Sequence, residues 1–270
     1  MLRKLLKYEF KSVFYLMLPF YCTMFAVSAV CRLFMNFEFL QEIFGGLPYF
    51  FIAMVCFGLF VALGVLSLIT VIQRFYKGLL SEEGYLMFTL PVKPWQLIVS
   101  KGIVSTVVII AGGVSAFISI FILTMNLGDI WSMFFNWDGI YFDRMFKEFP
   151  SWPLLVLEVI LLMFVYLWKH ILHTYSAMSF GQLANKNRVV LSIVIYGAEW
   201  LLFSLFWLFL AESFGNFHFE IPKSWYDWTN HHAEVTIHLG MWMLIIWQGI
   251  EMAVYYLTTH YILSKKLNLE

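Results

Sequence analysis

Charged and imidazole side chains interrupt long apolar runs in this chain, at Glu158, Lys169, His170, His173, Glu199 and Glu251. A charge in hydrocarbon is costly, so such residues face a bundle interior or a cavity and pair with one another. Two kinds of chemistry are open to them. They can neutralise each other and fix how helices pack, or they can form a polar patch on a transport path or gate. Lys169 and Glu199 stand at similar distances from a short polar stretch around Asn185. An antiparallel hairpin would bring them to one depth, so a Lys169–Glu199 ion pair is expected, with Glu251 nearby. If the run instead ends near His173, then Lys169, His170 and His173 are interfacial.

Other chemistry-bearing residues cluster less well. His218, His231, His232 and His238 fall near one another in sequence, but no H-E-x-x-H is present. "HHAEV" does not put two imidazoles one helical turn apart with a glutamate between them, so no metal site is expected. Cys22, Cys31 and Cys56 lie inside apolar runs without metal-type spacing and read as core residues. No catalytic set stands out. An intramembrane enzyme would need nucleophiles or metal ligands at matched depth, and the sequence offers only Lys169, His170 and His173 against Glu199.

The elements that position these residues are membrane helices. Of 270 residues, 61% are hydrophobic and 13% charged, against about 25% charged in a soluble domain. The zero net charge gives no reason to expect nucleic acid as a partner. Crossing about 30 Å of hydrocarbon takes about 20 mainly apolar residues. Six runs meet that: residues 12–34, 49–73, 101–127, 154–183, 189–211 and 238–264. They are too long for strands and lack barrel alternation. The expectation is an all-α integral membrane protein with a single transmembrane domain over residues 1–270.

Lysine and arginine set the orientation. Four of the seventeen, Arg32, Arg144, Lys147 and Lys223, fall in the segments placed outside, and Lys169 lies within a run. The other twelve fall in the opposite segments, so both termini are expected in the cytoplasm. In that frame Glu199 lies roughly 15 Å and Glu251 roughly 20 Å from the inner ends of their spans. The first span follows a basic start, but it is too long for a signal peptide and reads as an uncleaved helix. Ahead of it, Leu2, Leu5, Leu6, Phe10 and Val13 recur at helical spacing, with Arg3, Lys4, Lys7 and Lys11 on most of the other side. This reads as an amphipathic helix at the inner membrane interface, in contact with lipid. The alternative is that it continues the first span.

Residues 128–153 and 212–237 form the larger outer segments and are rich in aromatics, among them Trp131, Trp137, Trp225 and Trp228. Short interfacial helices or a lining for an amphipathic substrate would both use such residues. Within the spans, small residues share faces: Gly112, Ser115, Ala116 and Ser119 in the third, Gly58 and Ala62 in the second. Such stripes let helices pack closely.

Residues 74–100 differ from everything around them. Arg74 and Lys77 end the second span. Ser81 can cap a short helix with Glu82 and Glu83 in its first turn, where the helix dipole favours acids. Gly84 weakens that helix. Tyr85, Leu86, Met87, Phe88 and Leu90 then form a dense apolar cluster closed by Pro91, and Pro94 suits the first turn of the next helix. An exposed apolar face of this kind marks a partner site. It could equally fold back on the chain's own inner surface, and the residues alone leave both readings standing.

"RFYKGLLSEEGYLMFTLPVKPWQLIVSK" resembles the loop between the second and third spans in permease subunits of bacterial ABC transporters of the ABC-2 type, whose Firmicute members carry a near-identical EGYLMFTLPV there. "LLKYEFKS", "SFGQLANKNR" and "YILSKKLNLE" are similar to that group too, so the resemblance runs the length of the chain. It implies a multi-pass subunit of an ATP-driven exporter in the bacterial cytoplasmic membrane. It implies that Glu82, Glu83, Gly84, Tyr85, Leu86, Met87, Phe88 and Pro91 form a coupling helix seated in a separate ATP-binding subunit. It also implies a second permease chain, the same or a sister. ATP and magnesium would belong to the partner, because this chain has no G-x-x-x-x-G-K-[ST]. Substrates in that group range over antimicrobial peptides, drugs, lipids and polysaccharides. A non-transporting scaffold or sensor, and an intramembrane enzyme, are the alternatives. A secondary transporter would be expected to show related halves, and no internal repeat is visible.

Overall fold

The computed structural model describes residues 2–35, 47–80, 84, 92–124, 150–184, 186–216 and 232–266. Among these residues six α-helices follow one another: α1 (Leu2–Met35), α2 (Leu47–Phe75), α3 (Pro94–Thr124), α4 (Trp152–Gly181), α5 (Arg188–Asn216) and α6 (Ala233–Lys265). A π-helical segment, Tyr76–Leu80, prolongs α2. All six α-helices are long and apolar enough to cross a membrane. Their outer faces carry large apolar side chains, such as Phe57, Phe117, Ile193, Leu202 and Met243, that only lipid or another apolar surface would cover. The chain is therefore a multi-pass membrane protein.

Residues 2–12 are not a separate element. They are the opening turns of α1, which runs 34 residues and so spans about 51 Å, well beyond about 30 Å of hydrocarbon. No glycine or proline separates Lys11 from Val13, and the apolar stripe of Leu6, Phe10 and Val13 carries on into Met17. α3 starts at Pro94, the residue expected in its first turn, seven residues ahead of the apolar span that begins at residue 101. A proline in the first turn loses nothing there, because first-turn amides have no intrahelical partner.

The chain divides into two compact units. The first comprises Met1–Phe75 and Gln96–Gly139, which hold α1, α2 and most of α3. Val13 and Met17 of α1 pack on Val104 and Val108 of α3. Further along, Cys31, Cys56 and Leu123 join all three helices. Residue numbers rise together in α1 and α3 and fall in α2, so α1 and α3 run parallel with α2 opposed. Gly112 lets α2 and α3 approach: a β-carbon there would stand 3.3 Å from Ser67 Oγ. Ser115 and Ser119 share that buried face. Gly58 and Ala62 face outward, and a β-carbon on Gly58 would meet nothing, so that pair does not serve packing within the unit.

The second unit comprises Tyr76–Trp95 and Ile140–Glu270, which hold the π-helical segment and α4, α5 and α6. Glu158 meets His238, Lys169 meets Glu251 and Ser176 meets Thr258, so α4 and α6 run parallel. α5 returns antiparallel to α4 through a tight connection. A β-carbon on Gly181 would collide with Ser192 Oγ and the carbonyl of Arg188, so only glycine admits α5 this close. Asn187 turns the chain with φ 57°, a left-handed conformation that asparagine tolerates better than most residues.

Candidate functional site

Two places concentrate chemistry. The first lies within the first unit, where the end of α2 and the first turns of α3 meet α1. Arg74, one residue before α2 ends, donates to Ser12 Oγ (2.7 Å) and lies 3.6 Å from Glu9 Oε2. Lys101, in α3, donates to Glu9 Oε1 at 2.8 Å and is 3% exposed. One carboxylate on α1 thus holds a cation from each helix that flanks the segment between α2 and α3. The sequence shows the basic residues of this stretch plainly and hides the role of Glu9, whose partners Arg74 and Lys101 lie 65 and 92 residues downstream.

Within the segment, Gly78, Leu79 and Leu80 are buried in the second unit. Gly84 is buried too, and a β-carbon there would stand 2.5 Å from the carbonyl oxygen of Leu79. The glycine is thus required by a close return of the chain, not only permitted as a weak helix former. Glu82, Glu83, Tyr85, Leu86, Met87, Phe88 and Pro91 lie outside the described residues.

The second place is the interior of the α4–α5–α6 unit. Lys169 Nζ pairs with Glu251 Oε2 at 3.1 Å, with both side chains largely buried, and lies over the Tyr166 ring at 5.2 Å. Glu199 instead accepts from Ser176 Oγ at 2.8 Å, and its other oxygen stands 3.4 Å from His173 Nε2. The expected Lys169–Glu199 pairing is therefore replaced by Lys169–Glu251. The close start of α5 beside Gly181 sets the level. Glu199 sits opposite Ser176, seven residues and about 10 Å along α4 from Lys169. The His173 ring is stacked between Tyr196 (4.0 Å) and Tyr255 (4.6 Å). Ser176 Oγ also lies 3.0 Å from Thr258 Oγ1, so all three helices contribute to one polar centre.

Near the start of α4 and α6 a third polar group appears. His238 Nδ1 lies 2.7 Å from Glu158 Oε2, and its Nε2 lies 3.0 Å from Ser151 Oγ. Glu158 is fully buried. Sequence reasoning saw Glu158 only as an interruption and His238 only as one of several histidines. The usable signal was the spacing: Ser151 and Glu158 are two helical turns apart, on one face. His218 and His231 lie outside the described residues.

Comparison with protein-family profiles, with curated protein sequences and with solved structures returned no match.

Proposed function

We propose that this chain is the membrane-spanning permease subunit of an ABC-2-type exporter, with both termini in the cytoplasm of a bacterium. A separate ATP-binding subunit would bind ATP and magnesium, and a second permease chain would complete the pathway. The resemblance of residues 74–101 supports this reading, as do six helices of membrane-spanning length. The observation that carries it is the anchoring of that segment. It leaves α2 beside Arg74 and rejoins α3 at Pro94, seven residues ahead of Lys101, and both cations converge on Glu9. A partner pressing on the segment would push on two helices directly and on a third through one carboxylate. Coupling needs such a rigid attachment, because a slack one would absorb the motion.

The apolar cluster Tyr85–Phe88 is the part assigned to the groove of the ATPase. The test is purification of the tagged chain from its native membranes in mild detergent, with mass spectrometry of its companions. A P-loop ATPase should accompany the wild type and be lost from the double variant Leu86→Asp, Phe88→Asp. Wild type that arrives alone, under conditions that preserve other ABC complexes, would overturn the reading. The scaffold and enzyme alternatives would then lead.

A further inference from the structure

We propose that Ser151, His238 and Glu158 form a nucleophilic centre that accepts an acyl group from an ester-linked acyl donor resident in the membrane. The proposal stands apart from the transport reading and survives or fails without it.

The geometry assigns the roles. An ionised carboxylate can only accept hydrogen bonds, so Glu158 Oε2, 2.7 Å from His238 Nδ1, holds the ring proton on that nitrogen. The lone pair of Nε2 then faces Ser151 Oγ at 3.0 Å, the position of a general base. Glu158 is buried, and among the described residues its Oε1 has no hydrogen-bond partner, so the carboxylate is committed to the imidazole. Ser151 occupies the N-cap position of α4, yet its side chain makes no capping bond. A serine there ordinarily turns to its own helix; this one is given to the histidine. The deeper polar centre differs, because Ser176 bonds the carboxylate of Glu199 directly and has no imidazole as base.

Location selects the substrate class. Ser151 is partly exposed and stands at the end of a helix of membrane-spanning length. Around it Trp152, Leu154, Val235 and Leu239 are exposed apolar side chains along which an acyl chain can lie. The helix ends are also where a bilayer changes from hydrocarbon to water, the level at which ester linkages of lipids sit.

The step balances with water alone. Ser151 Oγ forms a bond to the ester carbonyl carbon as its proton passes to His238 Nε2. The carbon–alkoxy bond breaks, and the alkoxide leaves with that proton. Water then repeats the sequence on the acyl-serine and releases the carboxylic acid. Glu158 keeps its charge throughout and acts as a positioning residue. Pro153 has no amide proton, and the amides of Leu154 and Leu155 donate to the carbonyl of Ser151. These first-turn amides are not aimed at an oxyanion, so turnover should lack the roughly 10²–10³-fold that one such donor gives. Stoichiometric acylation is therefore the quantity to measure.

The wild-type chain, eluting as a single species in mild detergent, is treated with an alkyl fluorophosphonate, then digested and mapped by mass spectrometry. A phosphonyl adduct is expected on Ser151, formed with loss of fluoride. Ser151→Ala should remove it, and His238→Asn should slow it by about 100-fold or more. Glu158→Gln should slow labelling and Glu158→Asp restore it, a rescue that a purely structural role would not give. p-Nitrophenyl octanoate should acylate the same peptide faster than p-nitrophenyl acetate. Absence of label on Ser151 in the singly eluting wild type overturns the proposal, as does label on another residue only. Equal labelling in His238→Asn overturns it too. A preference for acetate removes the membrane-resident donor.

Discussion

In the first unit, Ser67, Thr70, Thr106 and Ser115 each bond a carbonyl three or four residues back in their own helix. In the second unit, Ser176, Glu199, Thr258, Lys169, Glu251, Glu158 and His238 bond from one helix to another. The two units share their arrangement, with first and third helices parallel and the second opposed. Hydroxyls such as Ser179 and Thr259 also bond within their own helix in the second unit, so the difference lies in the side-chain pairs that cross between helices. A hydroxyl bonded within its helix says nothing about neighbours, so among the described residues the first unit is held by shape, by the two cations on Glu9, and by bonds from Arg32 and Tyr21 to carbonyls of α3. A charge bonded across helices has no substitute when its partner leaves, so the second unit is held by pairing.

That contrast can be broken by mutation. The largest effect is expected for Lys169→Met, which strands Glu251 in the interior. Removing one partner of a buried pair costs about 3–5 kcal/mol, and unfolding in mixed micelles should show it. The double variant Lys169→Met, Glu251→Met should recover most of the loss. A double variant as unstable as the single one would mean that the pair is not what Lys169 serves. Next comes Glu9→Gln in the first unit. It leaves Lys101 with a neutral partner and should cost about 1.5–3 kcal/mol, the range for a hydrogen bond to a charged group. The smallest is Ser67→Ala, which loses only an intrahelical bond and should stay within about 1 kcal/mol. If Ser67→Ala proves as costly as Lys169→Met, the distinction between the units is wrong.

Much of the fold was legible because lipid imposes one rule, an apolar run long enough to cross, and that rule is local. Four of the six span positions fall inside the helices observed; residues 154–183 run two residues past α4, and residues 101–127 overlap α3 through Thr124. Pro94 was legible as a helix start for the same reason. Pairings were not legible, because they depend on level and rotation between helices. Lys169 and Glu199 look level when counted from Asn185, yet the contact at Gly181 shifts α5 enough to give Glu251 to Lys169. Glu9 was missed because four basic neighbours hid it and its partners lie far downstream. Ser151 was missed because a serine at a helix start already has an ordinary explanation.

The Glu9 contact also orders events during synthesis. Glu9 is the single acidic residue of α1, and Lys101 follows it by 92 residues. At about 5–20 residues per second, roughly 5–18 s pass between the making of the two. For that interval the first helix carries a carboxylate with no buried cation to receive it, and the second can offer only Arg74. The emergence of Lys101 therefore makes the ionic contact possible before Val104, Val108 and Leu123 arrive to pack α3 against its neighbours, and before α4, α5 and α6 exist.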